Sequence, residues 1–305
     1  MEPDRTISRD LVAALAGRDD FTLEPLPGGA NNRVFRVRFP EKSALLKAYF
    51  QHPDDKRDRL HAEFSFTRFA WAAGLRCVPE PLACDATNHL GLYEFIEGQP
   101  VREATKDVVQ EAITFFRELN RHRAAATDLP VASEACFSVA EHLATVERRV
   151  NALAGVEDAA AAAFVRDELL PCWRAIARKI PADTTPVERC VSPSDFGFHN
   201  ALREASGRLW FIDFEYAGWD DPAKMICDFF CQPAVPVSRE FLPMFEPSER
   251  AVRLLPVYRV KWCCIMLNDF LPVGGQRRRY AGREDRARQL KKARWALKSL
   301  KEELK

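Results

Sequence analysis

The sequence predicts an α+β fold in two lobes, one built on a small antiparallel sheet and the other mainly helical. Three observations carry that prediction. Strand-like segments cluster before residue 97, and the first three are separated by turns too short for a crossover helix, so they form an antiparallel meander. Helical periodicity dominates after residue 100. Between the two stands Glu97-Gly98-Gln99-Pro100, a run of turn formers that divides the chain into 1–97 and 98–305.

Taken in order, Ser8 to Ala16 reads as a short helix with Ser8 as N-cap and Gly17 as its stop. Strands follow at 21–26, 33–39 and 43–49, punctuated by Pro-Gly-Gly and Pro-Glu-Lys. A helix over 55–73 is expected from Leu60, Phe64, Arg68 and Trp71, which recur at helical spacing ahead of Gly74. A second strand pair is expected at 81–84 and 90–96. Beyond the connector, Val108, Ala112, Phe115, Phe116 and Leu119 form one apolar helix face. Ser138 and Glu141 have capping-box spacing ahead of a helix to about Leu153. Residues 157–180 read as an Ala-rich helix bent at Pro171. A short strand runs from Leu209 toward Phe214, and the rest is helical with loops at Pro233, Pro236 and Gly274-Gly275.

Composition narrows the function. The 305 residues are 47% hydrophobic and 29% charged with a net charge of +1, the profile of a globular chain without the uniform basicity of a nucleic-acid binder. Charge is uneven, however: residues 276–305 hold 12 Lys+Arg against 4 Asp+Glu, which leaves the first 275 residues at −7. Nine cysteines without a CxxC pair, mostly inside apolar runs, read as buried thiols of a reducing, cytoplasmic compartment. No signal-peptide core or membrane-length apolar run is apparent.

Four sequence features carry chemistry. Gly28-Gly29 sits in the turn between the first two strands, where backbone N–H groups could approach a phosphate and Asn31 and Asn32 tolerate unusual dihedrals, although a Gly-Gly turn alone is ordinary. Lys47 lies inside the apolar strand Ala44-Leu45-Leu46-Lys47-Ala48-Tyr49, one strand later; it either points to solvent or reaches the same phosphates. Glu63, 16 residues on, would give that ammonium a partner, or would be an exposed helix residue. The strongest signal is SPSDFGFHN at 192–200 with IDFEYAG at 212–218, where Asp195, Asn200 and Asp213 lie at offsets of 5 and 18. Oxygen donors from a loop and a strand end suit Mg²⁺.

This order of features resembles the protein-kinase-like fold, and more closely its small-molecule branch, the aminoglycoside phosphotransferase and choline kinase family. The likeness spans roughly residues 20–230, about two thirds of the chain. GGANNRVFRV is similar to that family's nucleotide turn, FIEG to its hinge, and IDFEYAGWDDP to its metal segment. The resemblance implies an ATP- and Mg²⁺-dependent phosphotransferase acting on a small-molecule hydroxyl. Lys47 would hold the α- and β-phosphates with Glu63 as partner, under the Gly28-Gly29 loop with Asn31 and Asn32. Asp195 would accept or orient the acceptor's hydroxyl proton, Asn200 and Asp213 would bind Mg²⁺, and backbone groups of Glu94, Phe95 and Ile96 would bond adenine.

Two departures from the family pattern bear on this. Pro193 stands where the family has an architectural histidine before the catalytic aspartate, so Ser192 or Ser194 is expected to support the loop. Lys224 stands where the family has a small or acidic residue. The missing histidine motivates an alternative, a nucleotide-binding pseudokinase with a regulatory role; the complete set Lys47, Glu63, Asp195, Asn200 and Asp213 argues against it. Between Phe214 and Gly275 there are 8 Asp+Glu against 6 Lys+Arg, too small an acidic excess to demand a polycationic acceptor, so a sugar, amino alcohol or nucleoside-like compound fits as well as an aminoglycoside. His199 is expected in a local loop hydrogen bond, Asp220 and Asp221 as helix caps, and Asp228 as a structural acceptor. Leu290, Ala293, Leu297, Leu300 and Leu304 make an amphipathic stripe that packs on the large lobe or on a second copy; docking to nucleic acid or a membrane is disfavoured.

Overall fold

The computed structural model describes residues 7–27, 31–282 and 285–304, so Gly28 and Gly29 lie outside the described residues. Helix α1, Arg9–Ala16, is capped by the Ser8 hydroxyl and stopped by Gly17 in the left-handed conformation. The strands β1 (Thr22–Leu26), β2 (Arg33–Arg38), β3 (Ser43–Ala48), β4 (Pro81–Asp85) and β5 (Leu90–Glu94) form one antiparallel sheet in the order β1-β2-β3-β5-β4. The inward row includes Phe35, Val37, Leu46 and Leu92, which with Val12 and Phe21 make a separate small core. Helix α2, Arg59–Ala72, inserts between β3 and β4. It begins later than the expected residue 55, because Asp58 is its N-cap while Asp55 is occupied by Arg57 and Arg59.

Most of the remainder is helical. Helix α3 (Lys106–Arg121) buries Val108, Ala112, Phe115 and Leu119, but Phe116 is only half-buried. Helix α4 (Val139–Ala152) starts at Ser138, whose hydroxyl accepts from the Glu141 N–H at 3.2 Å. The expected bend at Pro171 takes a defined form. Helices α5 (Ala159–Phe164) and α6 (Leu170–Ala177) join through a π-helical turn at Val165–Leu169, which absorbs the proline's missing N–H and ring bulk. Strands too short to show a period, β6 (Gln99–Pro100), β7 (Cys190–Ser192), β8 (Ala201–Arg203) and β10 (Gly218–Asp220), were not expected; with β9 (Leu209–Phe211) they frame the central loops.

Helices α7 (Pro222–Cys231), α8 (Glu249–Met266), α9 (Pro272–Tyr280) and α10 (Arg286–Glu303) complete the chain. Gly274-Gly275, expected as a loop, lies inside α9. The reason is contact: a Cβ on Gly274 would fall 1.9 Å from the Asn268 carbonyl oxygen, so these glycines serve close backbone approach. The C-terminal stripe packs within the chain, with Ala293, Leu297 and Leu300 buried in the same core as α8 and Leu304 left exposed. Of the two readings of this stripe, packing on the large lobe is the one these contacts show. All nine cysteines are free thiols and seven are buried. Among the described residues, no helix is long and apolar enough to cross a membrane.

Candidate active site

The site is assembled where the sheet meets the helical body. Lys47 lies on the face of β3 opposite to Leu46, turned toward Glu63 of α2, and is 6% exposed; the solvent-facing reading of this lysine is thereby excluded. Its ammonium donates to both Glu63 oxygens at 2.7 and 2.9 Å and to Asp213 Oδ1 at 2.7 Å. Glu63, equally buried on α2, also accepts from the Tyr49 hydroxyl at 2.8 Å, and that hydroxyl pairs with Tyr93. Burial would lower the Lys47 pKa, but Asp213 and Glu63 outweigh it and hold the ammonium well above the ordinary lysine value. Burial pushes Glu63 up, against the pull of Lys47.

Asp213 closes the segment after β9 with φ of 68°, a left-handed conformation that a non-glycine residue adopts at a cost of about 1–3 kcal/mol. Packing holds it there. Its neighbour Phe214 stacks on Phe66 of α2 at 4.5 Å between ring centroids, and Phe211 stacks on Phe115 at 4.6 Å. The Ile212 N–H donates to the Asn200 carbonyl, joining the two loops. The Asn200 side-chain nitrogen donates to the Asp195 carbonyl at 3.0 Å, which orients the amide and leaves its oxygen as a free acceptor. A carboxylate and an amide oxygen suit Mg²⁺, which takes few protein ligands and completes its shell with phosphate and water. Among the described residues, no cluster of three or more His, Cys, Asp and Glu side chains forms a metal cage.

Asp195 lines a cavity of about 780 Å³ together with Asn200, Asp213 and His199. His199 Nε2 lies 3.2 Å from Asp195 Oδ1, the local loop bond expected of it. Burial opposes ionisation of Asp195, but the His199 imidazole and more distant lysines hold its carboxyl below the usual aspartate range. The same pair raises His199 despite burial. Support for the loop comes from the serines and from Lys224. The Ser192 hydroxyl accepts from the Ser194 N–H at 3.0 Å, and Lys224 donates to the Ser194 hydroxyl at 3.1 Å and to Asp220 at 2.6 Å. Asp220 is thus the lysine's counter-ion, whereas Asp221 caps α7 as expected. Asp228 accepts from Lys261 and Trp262, again a structural acceptor, though it also lines the cavity.

The side-chain amides of Asn31 and Asn32 both donate to Glu215, and the Asn31 amide also reaches the Tyr216 hydroxyl. They tie the start of β2 to the segment after Asp213. Glu215 is 1% exposed and lies 3.6 Å from Arg59 at the start of α2; nothing in its sequence context singled it out. Glu94, Phe95 and Ile96 stand apart from the cavity that holds Asp195. There, Glu94 exchanges bonds with Glu80, and Arg36 lies over the Phe95 ring at 4.2 Å.

Comparison with known proteins bears on this arrangement. The sequence matches no curated protein at a significant level. Among solved structures, a spectinomycin phosphotransferase in complex with ADP and spectinomycin superposes with a TM-score of 0.65 at 14% identity, covering 95% of each chain. The choline kinase LicA from Streptococcus pneumoniae gives 0.60 at 17% identity, covering 96% of this chain and 98% of its own. A gentamicin complex of the aminoglycoside phosphotransferase APH(2")-IIa gives 0.65 at 17%, covering 96% of each. At such identities these likenesses establish the two-lobed kinase-like fold. Residues 22–240, which contain Lys47, Glu63, Asp195, Asn200 and Asp213, match the phosphotransferase enzyme family APH, so the chain belongs to that family and is a small-molecule kinase.

Proposed function

We propose that this kinase moves the γ-phosphate of ATP to a hydroxyl of a small molecule seated in the cavity beside Asp195. The observation that carries this reading is the position of Asp213, held by Lys47 at 2.7 Å on one side and sharing the cavity with Asp195 and Asn200 on the other. The nucleotide lies between the lobe of 1–97 and the lobe of 98–305. Lys47, fixed by Glu63, neutralises the α- and β-phosphates, with Gly28 and Gly29 supplying backbone N–H groups and Asn31 and Asn32 bonded to Glu215. Backbone groups of Glu94, Phe95 and Ile96 bond the adenine. Asn200 and Asp213 hold Mg²⁺, which supplies charge neutralisation on the transferred group. Two relatives solved with ADP or AMP support nucleotide binding.

Asp195 orients the acceptor hydroxyl and takes its proton as the new oxygen–phosphorus bond forms and the bond to the ADP oxygen breaks. A carboxyl held low by His199 is a weak base, so its work is positioning until the transition state makes the proton acidic. The Ser192, Ser194 and Lys224 brace favours this reading over a pseudokinase, since the loop is supported without the family histidine. Free thiols at all nine cysteines support a cytoplasmic location.

The test separates binding from chemistry. Mg²⁺-dependent binding of AMP-PNP is expected for the wild type and for Asp195→Ala but not for Asp213→Ala. Each substitution should lower kcat by about 10³-fold or more, roughly 4 kcal/mol of transition-state stabilisation. Unchanged Mg²⁺ dependence or near-wild-type turnover in Asp213→Ala overturns the metal assignment.

A further inference from the structure

The cavity beside Asp195 carries a cation that the reaction described so far does not use. Its acidic residues away from the reacting centre are occupied: Glu134 holds Arg149 at 2.6 Å, Asp228 holds Lys261 at 2.9 Å and Asp269 holds Arg278 at 2.9 Å. Asp285 caps α10 through the Arg288 N–H. Arg277, on α9, has no such partner among the described residues. It is 6% exposed, makes no ion pair with a described residue, and its Nε has no hydrogen-bond partner. Its one hydrogen bond runs from Nη1 to the Tyr216 hydroxyl at 3.5 Å.

The surroundings sharpen the imbalance. Burial disfavours the charged form of Arg277, and the nearby guanidiniums of Arg57 and Arg59 add to it, so the group sits below the ordinary arginine value in spite of Tyr216 and Glu215. Glu215 is already bonded by Asn31 and Asn32 and faces Arg59. A buried cation without a counter-charge is costly, and a site that maintains one is half of an ion pair. Arg288 and Lys292 of α10 line the exposed mouth of the same cavity, also without an ion pair among the described residues. Arg277, Arg288 and Lys292 share this cavity with Asp195, whereas the hinge and Lys47 do not line it.

We propose that the acceptor is an alcohol with a second, anionic group, a carboxylate or a phosphate, which Arg277 binds while Asp195 receives the hydroxyl. This rests on the kinase reading and names its substrate class: a hydroxy acid or a phosphorylated polyol. Arg288 and Lys292 draw such an anion to the mouth and repel a polycation. A bidentate guanidinium contact would fix which hydroxyl faces Asp195.

The experiment titrates inorganic phosphate, by calorimetry, into the full chain first saturated with Mg²⁺ and AMP-PNP, so that the nucleotide's own phosphate site is filled. Saturation itself tests the kinase reading, because a chain that fails to bind AMP-PNP shows that failure before phosphate is added. Phosphate is expected to bind the wild type and to bind Arg277→Gln at least tenfold more weakly. The double variant Arg288→Gln/Lys292→Gln, on the exposed rim, should bind about threefold more weakly with its fold intact, and it decides the matter should Arg277→Gln not fold. Equal affinity in wild type and variants overturns the proposal. So does phosphate binding that disappears when AMP-PNP is present, which would give Arg277 to the terminal phosphate of the nucleotide, or no phosphate binding at all.

Discussion

The ammonium of Lys224 donates to the Ser194 hydroxyl at 3.1 Å, one residue before Asp195, while bonding Asp220 at 2.6 Å. Ser194 has φ of 63°, so the loop turns into Asp195 through a left-handed residue that must be held. A buried lysine from α7 therefore does the bracing that the family assigns to a histidine in the loop itself. Asp220 completes the unit, since it also accepts from the Cys136 N–H at 3.2 Å.

Lys224→Met should damage both folding and catalysis. Lys224 and Asp220 are almost fully buried, and removing one partner of such a pair costs about 3–5 kcal/mol because the other charge stays behind unpaired. Asp228, 3.6 Å away, has Lys261 as a second cation and is less affected. The double variant Lys224→Met/Asp220→Asn should recover part of that stability in denaturant unfolding and leave kcat low, because the Ser194 contact is still missing. Recovery of kcat along with stability would show that Lys224 serves the fold alone.

The history of this lysine shows what was legible in the sequence. The sheet and the segments that bring Asp195, Asn200 and Asp213 together could be read because their signals are local: strand alternation, Asp195 and Asn200 five apart, and an aspartate at a strand end. Lys224 could be named as a departure but not given a task, because its partner Ser194 is 30 residues away. Glu215 is anchored to Asn31 and Asn32 across more than 180 residues, a pairing that no periodicity encodes. Arg277 was hidden differently. It belongs to a basic run that reads as a solvated tail, and only the close approach of Gly274 to Asn268 turns α9 into a wall of the cavity. The Pro171 bend was visible, but its resolution as a π-helical turn depends on packing.

A second buried pair predicts how stability varies with pH. His142 on α4 is fully buried, with Nδ1 2.6 Å from the Tyr258 hydroxyl and Nε2 3.1 Å from Asp221. Burial favours the neutral ring, but the hydrogen bond to Asp221 prevails and raises its pKa to about 9. Because the folded value lies above the unfolded one of about 6.5, the stabilisation is complete below pH 6.5 and is lost as pH rises to about 9. The loss is about 1.4 kcal/mol per pH unit, roughly 3 kcal/mol in all. Urea unfolding at a series of pH values should show this decline in the wild type and a flatter curve in His142→Gln. A slope shared by both proteins would assign the dependence to other groups.

The Asp195–His199 contact makes the corresponding prediction for activity. His199 lies 3.2 Å from Asp195 and, against the effect of burial, holds its carboxyl below the usual range, so Asp195 stays ionised into mildly acidic solution. His199→Gln keeps a polar side chain of similar reach but removes the cation. The Asp195 pKa should then rise, moving the acid limb of the kcat profile to higher pH. At neutral pH the loss in kcat should be modest, and the KM for ATP should hardly change, because the proposed nucleotide contacts lie with Lys47 and Asp213. A merely structural histidine would lower kcat by one factor at every pH. An acid limb that keeps its position in His199→Gln, with only its height reduced, would therefore remove His199 from the control of Asp195.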